Sequence, residues 1–325
     1  MMRALLCRQA GGPETLTVAR LPIPEPGPGE VRVRVTAAGL NFFDTLLIRG
    51  KYQKKADFPF SPCAEFAGIV DKIGPGVARF QPGQRVMGWI GWGAAREYVV
   101  IDPGQILPLP DGVREDAAAG LAVTYGTAFH AFLTRGRIQP GESVAVLGAA
   151  GGAGQAAIEV AKLLGARVIA CASSAEKLAQ AKLLGADEGV NYAETDLKQA
   201  LKALTGGQGV DLVYDPVGGD LAEPALRATA WGGRYLVVGF ASGDIPKIPA
   251  NLVLVKGSSL VGVHWSEHAT RLPGLLADEL RQLLDFVAQG RLKPQIHGKF
   301  ALEAAAQAFG VIENRQAQGK VLLIP

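Results

Sequence analysis

Residues Val144–Gly165 read V-A-V-L-G-A-A-G-G-A-G-Q-A-A-I-E-V-A-K-L-L-G. Val144–Leu147 is a short β-branched run of the kind that forms a buried strand. Small residues from Gly148 to Gly154 form a tight turn. Ala157, Ile158, Val160, Ala161 and Leu164 then recur at helical spacing, and Gly165 is placed to end the helix. Strand, glycine turn and helix in that order give the motif Ala149-x-Gly151-x-x-Gly154 its meaning, with Ala149 where a glycine is usual. Gly151 has no Cβ, so a pyrophosphate can approach the backbone, and Gly154 lets the helix close on the strand. The start of the helix offers free N–H groups and partial positive charge to an anion. With a second strand at Ala166–Ala170, the stretch reads as a dinucleotide cradle made of Ala150, Gly151, Gly152, Ala153 and Gly154. The bland alternative is a turn that only packs a helix on a sheet.

Downstream the alternation continues. Strands are expected at Arg167–Ala170, Gly189–Asn191, Leu212–Tyr214, Arg234–Gly239 and near Ser259–Val263, with helices at Ser174–Leu184 and Leu197–Leu204. Such alternation predicts an α/β fold, a doubly wound parallel sheet with helices on both faces. Upstream the chain is strand-like. Val31, Val33 and Val35 alternate with Arg32, Arg34 and Thr36, the period of a half-buried strand. Ala4–Cys7, Thr15–Ala19, Phe66–Ile73, Arg85–Trp89 and Arg96–Val100 add short strands. Turns at Gly11-Gly12-Pro13, Gly74-Pro75-Gly76 and Gln81-Pro82-Gly83 separate them, suggesting a small barrel or sandwich. The character changes near Pro110, and Arg114–Arg137 reads as helical, interrupted by Gly120 and Gly126. The tail holds a helix near Leu275–Gln289, another at Ala304–Glu313 and a closing strand Lys320–Ile324, and is expected to return to the first domain.

The chain has 325 residues, 48% hydrophobic and 19% charged, which suits about two globular domains. A formal net charge of +3 without a Lys/Arg block gives no support to nucleic-acid or membrane partners. Cys7, Cys63 and Cys171 are too far apart for a zinc ribbon or disulfide scaffold and suit a reducing compartment. The opening M-M-R-A-L-L-C-R does not read as a signal peptide, and no apolar run approaches a membrane span. A cytoplasmic protein is the expectation.

The end of the second sheet strand reports on cofactor choice. An acidic residue there holds ribose hydroxyls in NAD enzymes. This chain places Ala172-Ser173-Ser174 there, then Lys177: two hydroxyls and an ammonium that suit a 2′-phosphate, hence NADPH. The alternative is that Ser173 or Ser174 only caps the next helix and Lys177 is a solvated charge.

At this point a resemblance is evident. The whole chain resembles the zinc-free quinone oxidoreductases of the medium-chain dehydrogenase/reductase superfamily. It is carried by Ala38-Gly39-Leu40-Asn41-Phe42-x-Asp44, Arg49-Gly50-x-Tyr52, Glu65-x-x-Gly68, the Ala-Ala-Gly-Gly-Ala-Gly turn, Asp211-x-Val213-Tyr214-Asp215-x-Val217-Gly218, the loop Gly239-Phe240-Ala241-Ser242-Gly243, and Gln318-Gly319-Lys320-Val321. The resemblance implies a GroES-like β-barrel catalytic domain from residues 1–123 and 266–325. It implies a Rossmann dinucleotide-binding domain, 124–265, inserted between them, and a homodimer. The Asn251–Val263 stretch could pair edge to edge across a two-fold axis.

Zinc-dependent relatives place a cysteine where this chain has Asn41, Gly-His-Glu where it has Cys63-Ala64-Glu65, and a third ligand near Ala119. Asn and Ala cannot replace thiolate and imidazole. His130, His264, His268 and His297 show no ligand spacing, so no metal is expected. Without a Lewis acid, the chemistry suits acceptors that take hydride readily: quinones, or alkenes conjugated to a carbonyl. The resemblance also implies cofactor roles for Asn41, Thr127, Tyr192 and Arg315, and offers Tyr52 as proton donor, while Phe240, Ala241 and Val263 sit at the carboxyl ends of late strands, the edge where such sheets bind ligands. For Tyr52 a wall role, for Thr127 helix packing and for Arg315 a surface position are the plainer alternatives. Phe42, Ile48, Tyr52, Trp89, Trp92 and Trp265 are candidate pocket residues. Lys51, Lys54 and Lys55 could begin a groove for an acyl thioester, or form only a solvated loop. An NADPH-dependent quinone reductase is the leading expectation. An activated-alkene reductase and an NADPH-retaining binding protein are the alternatives.

Overall fold

A computed structural model describes all 325 residues. It divides the chain into two units, Met1–Val123 with Ser266–Pro325, and Thr124–Trp265.

The first unit opens with β1 (Met2–Leu6) and β2 (Thr17–Leu21), an antiparallel pair. Then come β3 (Val31–Leu40), helix α1 (Phe42–Ile48), β4 (Glu65–Ile73), β5 (Arg85–Trp89), β6 (Tyr98–Ile101), β7 (Ile106–Pro108) and the short α2 (Glu115–Ala118). Val31, Val33 and Val35 of β3 are buried, as the alternation requires. Each contributes about 1.5–3 kcal/mol by leaving water.

The second unit begins with α3 (Thr124–Phe129), continued by a π-helical turn, His130–Arg135. It then alternates β8 (Ser143–Leu147), α4 (Gly152–Leu163), β9 (Arg167–Ala172), α5 (Ala175–Leu183), β10 (Glu188–Asn191), α6 (Leu197–Leu204), β11 (Val210–Asp215), α7 (Ala222–Arg227), β12 (Thr229–Val237), α8 (Ala250–Lys256) and β13 (Ser259–Gly262). The six strands pair in the order β10-β9-β8-β11-β12-β13. Every pairing is parallel. This is the doubly wound Rossmann sheet, with its order reversing between β8 and β11.

The chain then runs through α9 (Trp265–Arg271), α10 (Pro273–Ala288), β14 (Ile296–Ala301), α11 (Ala305–Glu313) and β15 (Lys320–Ile324). In the first unit's sheet the order is β14-β15-β3-β4-β5-β7, with β6 also paired to β3. β15 runs antiparallel to β3 and parallel to β14, so the last residues of the chain sit inside the sheet.

Several local expectations are corrected. Thr15–Ala19 is not one strand: a 3₁₀ turn, Pro13–Thr15, precedes β2, because Pro13 presets a helical φ. Arg114–Arg137 holds α2, α3 and the π-helical turn: Gly120 lies in the break between α2 and α3, whereas Gly126 does not interrupt the helix but lies inside α3. In Asn251–Val263 only Ser259–Gly262 is strand, since Ala250–Lys256 is helical and ends at Gly257 in the left-handed conformation. Helices α1, α7, α8 and α9 and strands β7 and β14 had no counterpart in the reading above.

Candidate functional site

The carboxyl ends of the parallel strands gather one group of candidate residues within the second unit. After β8 the chain turns at Gly148, whose φ of +61° suits glycine, and Gly151 then stands as the N-cap of α4. The glycines of this turn are there for different reasons. A Cβ on Gly154 would lie 2.3 Å from the Gly148 carbonyl oxygen, so helix and turn touch there. A Cβ on Gly151 would meet nothing closer than that same oxygen at 3.6 Å, and the φ of −74° is ordinary. The protein itself therefore does not require glycine at position 151. The first turn of α4 directs unpaired N–H groups outward, as a helix start must.

After β9, Ser174 caps α5 by accepting the Lys177 amide at 3.3 Å, while Lys177 Nζ donates to Ser173 Oγ at 3.2 Å. The three residues form one cluster, and the capping alternative for Ser174 holds alongside it. Glu176 lies in the same first turn with an exposed side chain. After β10, the Tyr192 amide donates to the Ala172 carbonyl, which brings the backbone of this half-buried residue beside the end of β9.

After β11, buried Asp215 accepts from the amides of Val217 and Gly218 at 2.7 and 2.8 Å and from the Tyr235 hydroxyl. Burial raises its carboxyl above the usual range, while these hydrogen bonds oppose the rise. The loop after β12 lies on this turn: the Ala241 amide donates to Pro216 and the Ser242 amide to Val217. Phe240 is partly exposed beside Gly218, and the Val263 amide donates to Val237. A Cβ on Gly148 would meet Val217 at 2.7 Å, so the loops after β8 and β11 abut at the point where strand order reverses. That is where open α/β sheets bind ligands. Thr127 is half-buried on α3.

In the first unit a buried polar network joins four distant segments. Asn41 ends β3 and starts α1. Its amide nitrogen donates to Glu65 Oε1 at 3.0 Å and to the Gly39 carbonyl at 3.3 Å. Its carbonyl oxygen accepts from Lys320 Nζ at 2.6 Å. Lys320 Nζ also donates to Glu65 Oε1, and the Val123 amide donates to Glu65 Oε2. Asn41, Glu65 and Lys320 are all buried. Glycines make room for the lysine stem: a Cβ on Gly39 would lie 2.9 Å from Lys320 Cε, and one on Gly120 would lie 2.5 Å from Lys320 Cγ. Gly120, read above as a helix interruption, is thus the floor under this side chain.

Asp44 ties the network to the next loop. It accepts from the Asn41 amide at 2.8 Å and the Cys63 amide at 3.0 Å. Burial pushes its carboxyl up to about 7 against those hydrogen bonds. Cys63 is held at a φ of +69°, a region that favours glycine, and burial keeps its thiol protonated. Tyr52 follows α1, half-buried, its ring 5.3 Å from that of Phe43. Burial raises its hydroxyl's pKa, a hydrogen bond from Ser266 lowers it, and Asp44 adds to the rise. Arg315 is exposed just past α11 with a φ of +57°. Lys54 pairs with Glu267 at 3.5 Å and Lys55 turns back to the Gly50 carbonyl, so two of the three loop lysines have partners. Buried His268 lies 3.2 Å from Glu279. No signal in the sequence assigned roles to Asp44 or Lys320.

Two family models match this chain. Residues 27–111 match the alcohol dehydrogenase GroES-like domain, and residues 152–289 match the zinc-binding dehydrogenase domain. Rat quinone oxidoreductase-like protein 2 is 41% identical over 323 residues, covering 99% of this chain and 91% of the relative. A crystal structure of Escherichia coli quinone oxidoreductase complexed with NADPH is 30% identical, with a TM-score of 0.92, covering 99% of this chain and 100% of that one. A structure described as an NAD-dependent alcohol dehydrogenase is 37% identical, with a TM-score of 0.89 and full coverage of both chains. A Rossmann unit carried between the two parts of a GroES-like one defines the medium-chain dehydrogenase/reductases. Within that class, the chain belongs to the quinone oxidoreductase family.

Proposed function

We propose that this protein is an NADPH-dependent reductase that passes hydride to quinones without a metal ion. The observation that carries the cofactor reading is the Ser173–Ser174–Lys177 cluster at the end of β9. An ammonium and two hydroxyls there suit a 2′-phosphate, and charge-assisted hydrogen bonds of this kind contribute about 1.5–3 kcal/mol each. Ala150, Gly151, Gly152, Ala153 and Gly154 would hold the pyrophosphate, since space for a Cβ at Gly151 is left open by the protein. Tyr192, Phe240, Ala241 and Val263 would flank the nucleotide along the same sheet edge, with Thr127, Asn41 and Arg315 as further contacts. NADPH would supply the hydride. Tyr52 is the candidate proton donor: a tyrosine hydroxyl is protonated at neutral pH, and burial raises its pKa further.

The donor set does not fit a catalytic zinc. Asn41 and Ala119 offer neither thiolate nor imidazole, and the carboxylate of Glu65 is taken by the Lys320 ammonium. Acceptors that need no Lewis acid follow from this, quinones first and enones, enals or enoyl thioesters second. For dimer formation, the support is the edge strand Ser259–Gly262, with exposed Leu254 and Leu260 nearby in the chain and exposed Trp231 packed beside Gly257. No helix is long and apolar enough to cross a membrane.

The test is steady-state oxidation of NADPH and of NADH with a simple quinone, an enone and an enoyl thioester side by side. NADPH with the quinone should turn over fastest. Efficient turnover of only the thioester would replace the quinone reading. Binding of NADPH without turnover of any acceptor would favour the binding protein.

A further inference from the structure

We propose that Lys320 is a positioning residue for the nicotinamide half of the cofactor, acting through Asn41. This rests on the NADPH reading above. An asparagine amide can sit either way round, and its partners decide which end faces where. Lys320 can only donate, and an ionised Glu65 can only accept. Together they fix the Asn41 oxygen toward the ammonium and the nitrogen toward the carboxylate. Both amide protons are then used, one on Glu65 and one on the Gly39 carbonyl. Only a lone pair of the oxygen is left for a ligand. Asn41 therefore presents an acceptor, and the group it recognises is a donor: a ribose hydroxyl or a carboxamide N–H of the nicotinamide nucleotide.

The lysine is built into this place. It enters from β15, at the far end of the chain, and its stem fills the space left by Gly39 and Gly120. Its ammonium is a fixed positive charge between Asn41 and Glu65. Remove it and two things change: Glu65 loses its cation, and the Asn41 oxygen loses the donor that holds it, so that only the acceptors on the nitrogen side, Glu65 and the Gly39 carbonyl, still orient the amide.

The test compares two ligands. NADPH carries the nicotinamide half; 2′,5′-ADP has the adenosine and the 2′-phosphate but no nicotinamide. Binding of each is measured calorimetrically to the full chain and to K320M. The double variant K320M/E65Q is measured too, since it removes the buried carboxylate along with its partner and guards against K320M failing to fold. In the folded variants NADPH affinity should fall about ten- to a hundredfold, the size of one charge-assisted hydrogen bond, with 2′,5′-ADP affinity unchanged. Unchanged NADPH affinity would overturn the proposal. So would an equal loss for both ligands, which marks a merely structural lysine. Failure of the unsubstituted protein to bind either ligand would instead overturn the cofactor reading, and this proposal with it.

Discussion

Two glycines three residues apart separate folding from binding at the level of single residues. Gly154 touches the turn before it, so G154A must push backbone apart and should cost about 1–3 kcal/mol of stability, as overpacking does. G151A meets no such obstacle. It should melt near the parent temperature yet lose about tenfold or more in NADPH affinity. Thermal unfolding and calorimetric binding of both variants check this, and a G151A chain that melts early with binding intact would reverse the assignment. Asp44 offers a second residue-level expectation. Its carboxyl is held near 7, above the ordinary value of 3.8 that it regains on unfolding. The folded state therefore binds that proton more tightly, and the stability this confers is full below about 4 and lost as pH rises through about 7. D44N cannot titrate there. It also sets an amide against one of the two backbone N–H groups that Asp44 accepts, so it should be less stable by about 1–3 kcal/mol. The gap between the two proteins, measured by denaturant unfolding, should narrow from pH 4 to pH 7. A gap that widens would mean that Asp44 is ionised in the fold throughout.

At the scale of the element, α5 is both cap and binding device. S174A removes the capping acceptor and should cost about 1 kcal/mol of stability. K177M leaves the cap in place and should weaken NADPH about ten- to a hundredfold with NADH nearly unchanged. Equal losses for both cofactors in K177M, read by fluorescence titration, would remove the phosphate role. The elements also show what a sequence can carry. β8, β9 and the Leu212–Tyr214 part of β11 were legible because parallel strands buried on both faces read as unbroken apolar runs between helices. The glycine turn was legible because its parts are neighbours in the chain. Helix α8 was not, because its apolar residues do not keep to one face: Leu252 is buried while Leu254 and Val255 are exposed, so no helical period appears in its hydropathy. β14 is an edge strand with a polar sequence, H-G-K-F, and lacks an apolar run. The Asn41–Glu65–Lys320 network was illegible for a different reason. Its members lie 24 to 279 residues apart, and only the folded chain brings them together.

For the whole molecule, the two units stand in different relations to the chain. Residues 124–265 are continuous, and all six strands of their sheet lie within them. Their apolar core, from Ala145 and Leu147 through Val213 to Tyr235, is likewise internal to the segment. The other unit needs both ends. β15 lies between β14 and β3, and Leu323 and Val321 share a core with Val33 and Phe66. Cutting the chain before Lys320 takes away the middle of that sheet and the cation beside Glu65. A chain ending at Gly319 should therefore lose the cooperative unfolding of the first unit. A fragment of residues 124–265 should fold by itself and bind 2′,5′-ADP within about a few-fold of the full chain, because the Ser173–Ser174–Lys177 cluster is wholly its own. Circular dichroism melts and calorimetry of the two truncations distinguish the cases. A 124–265 fragment that is unfolded would show that its sheet depends on the rest of the chain, and one that is folded but blind to 2′,5′-ADP would place the phosphate contact elsewhere.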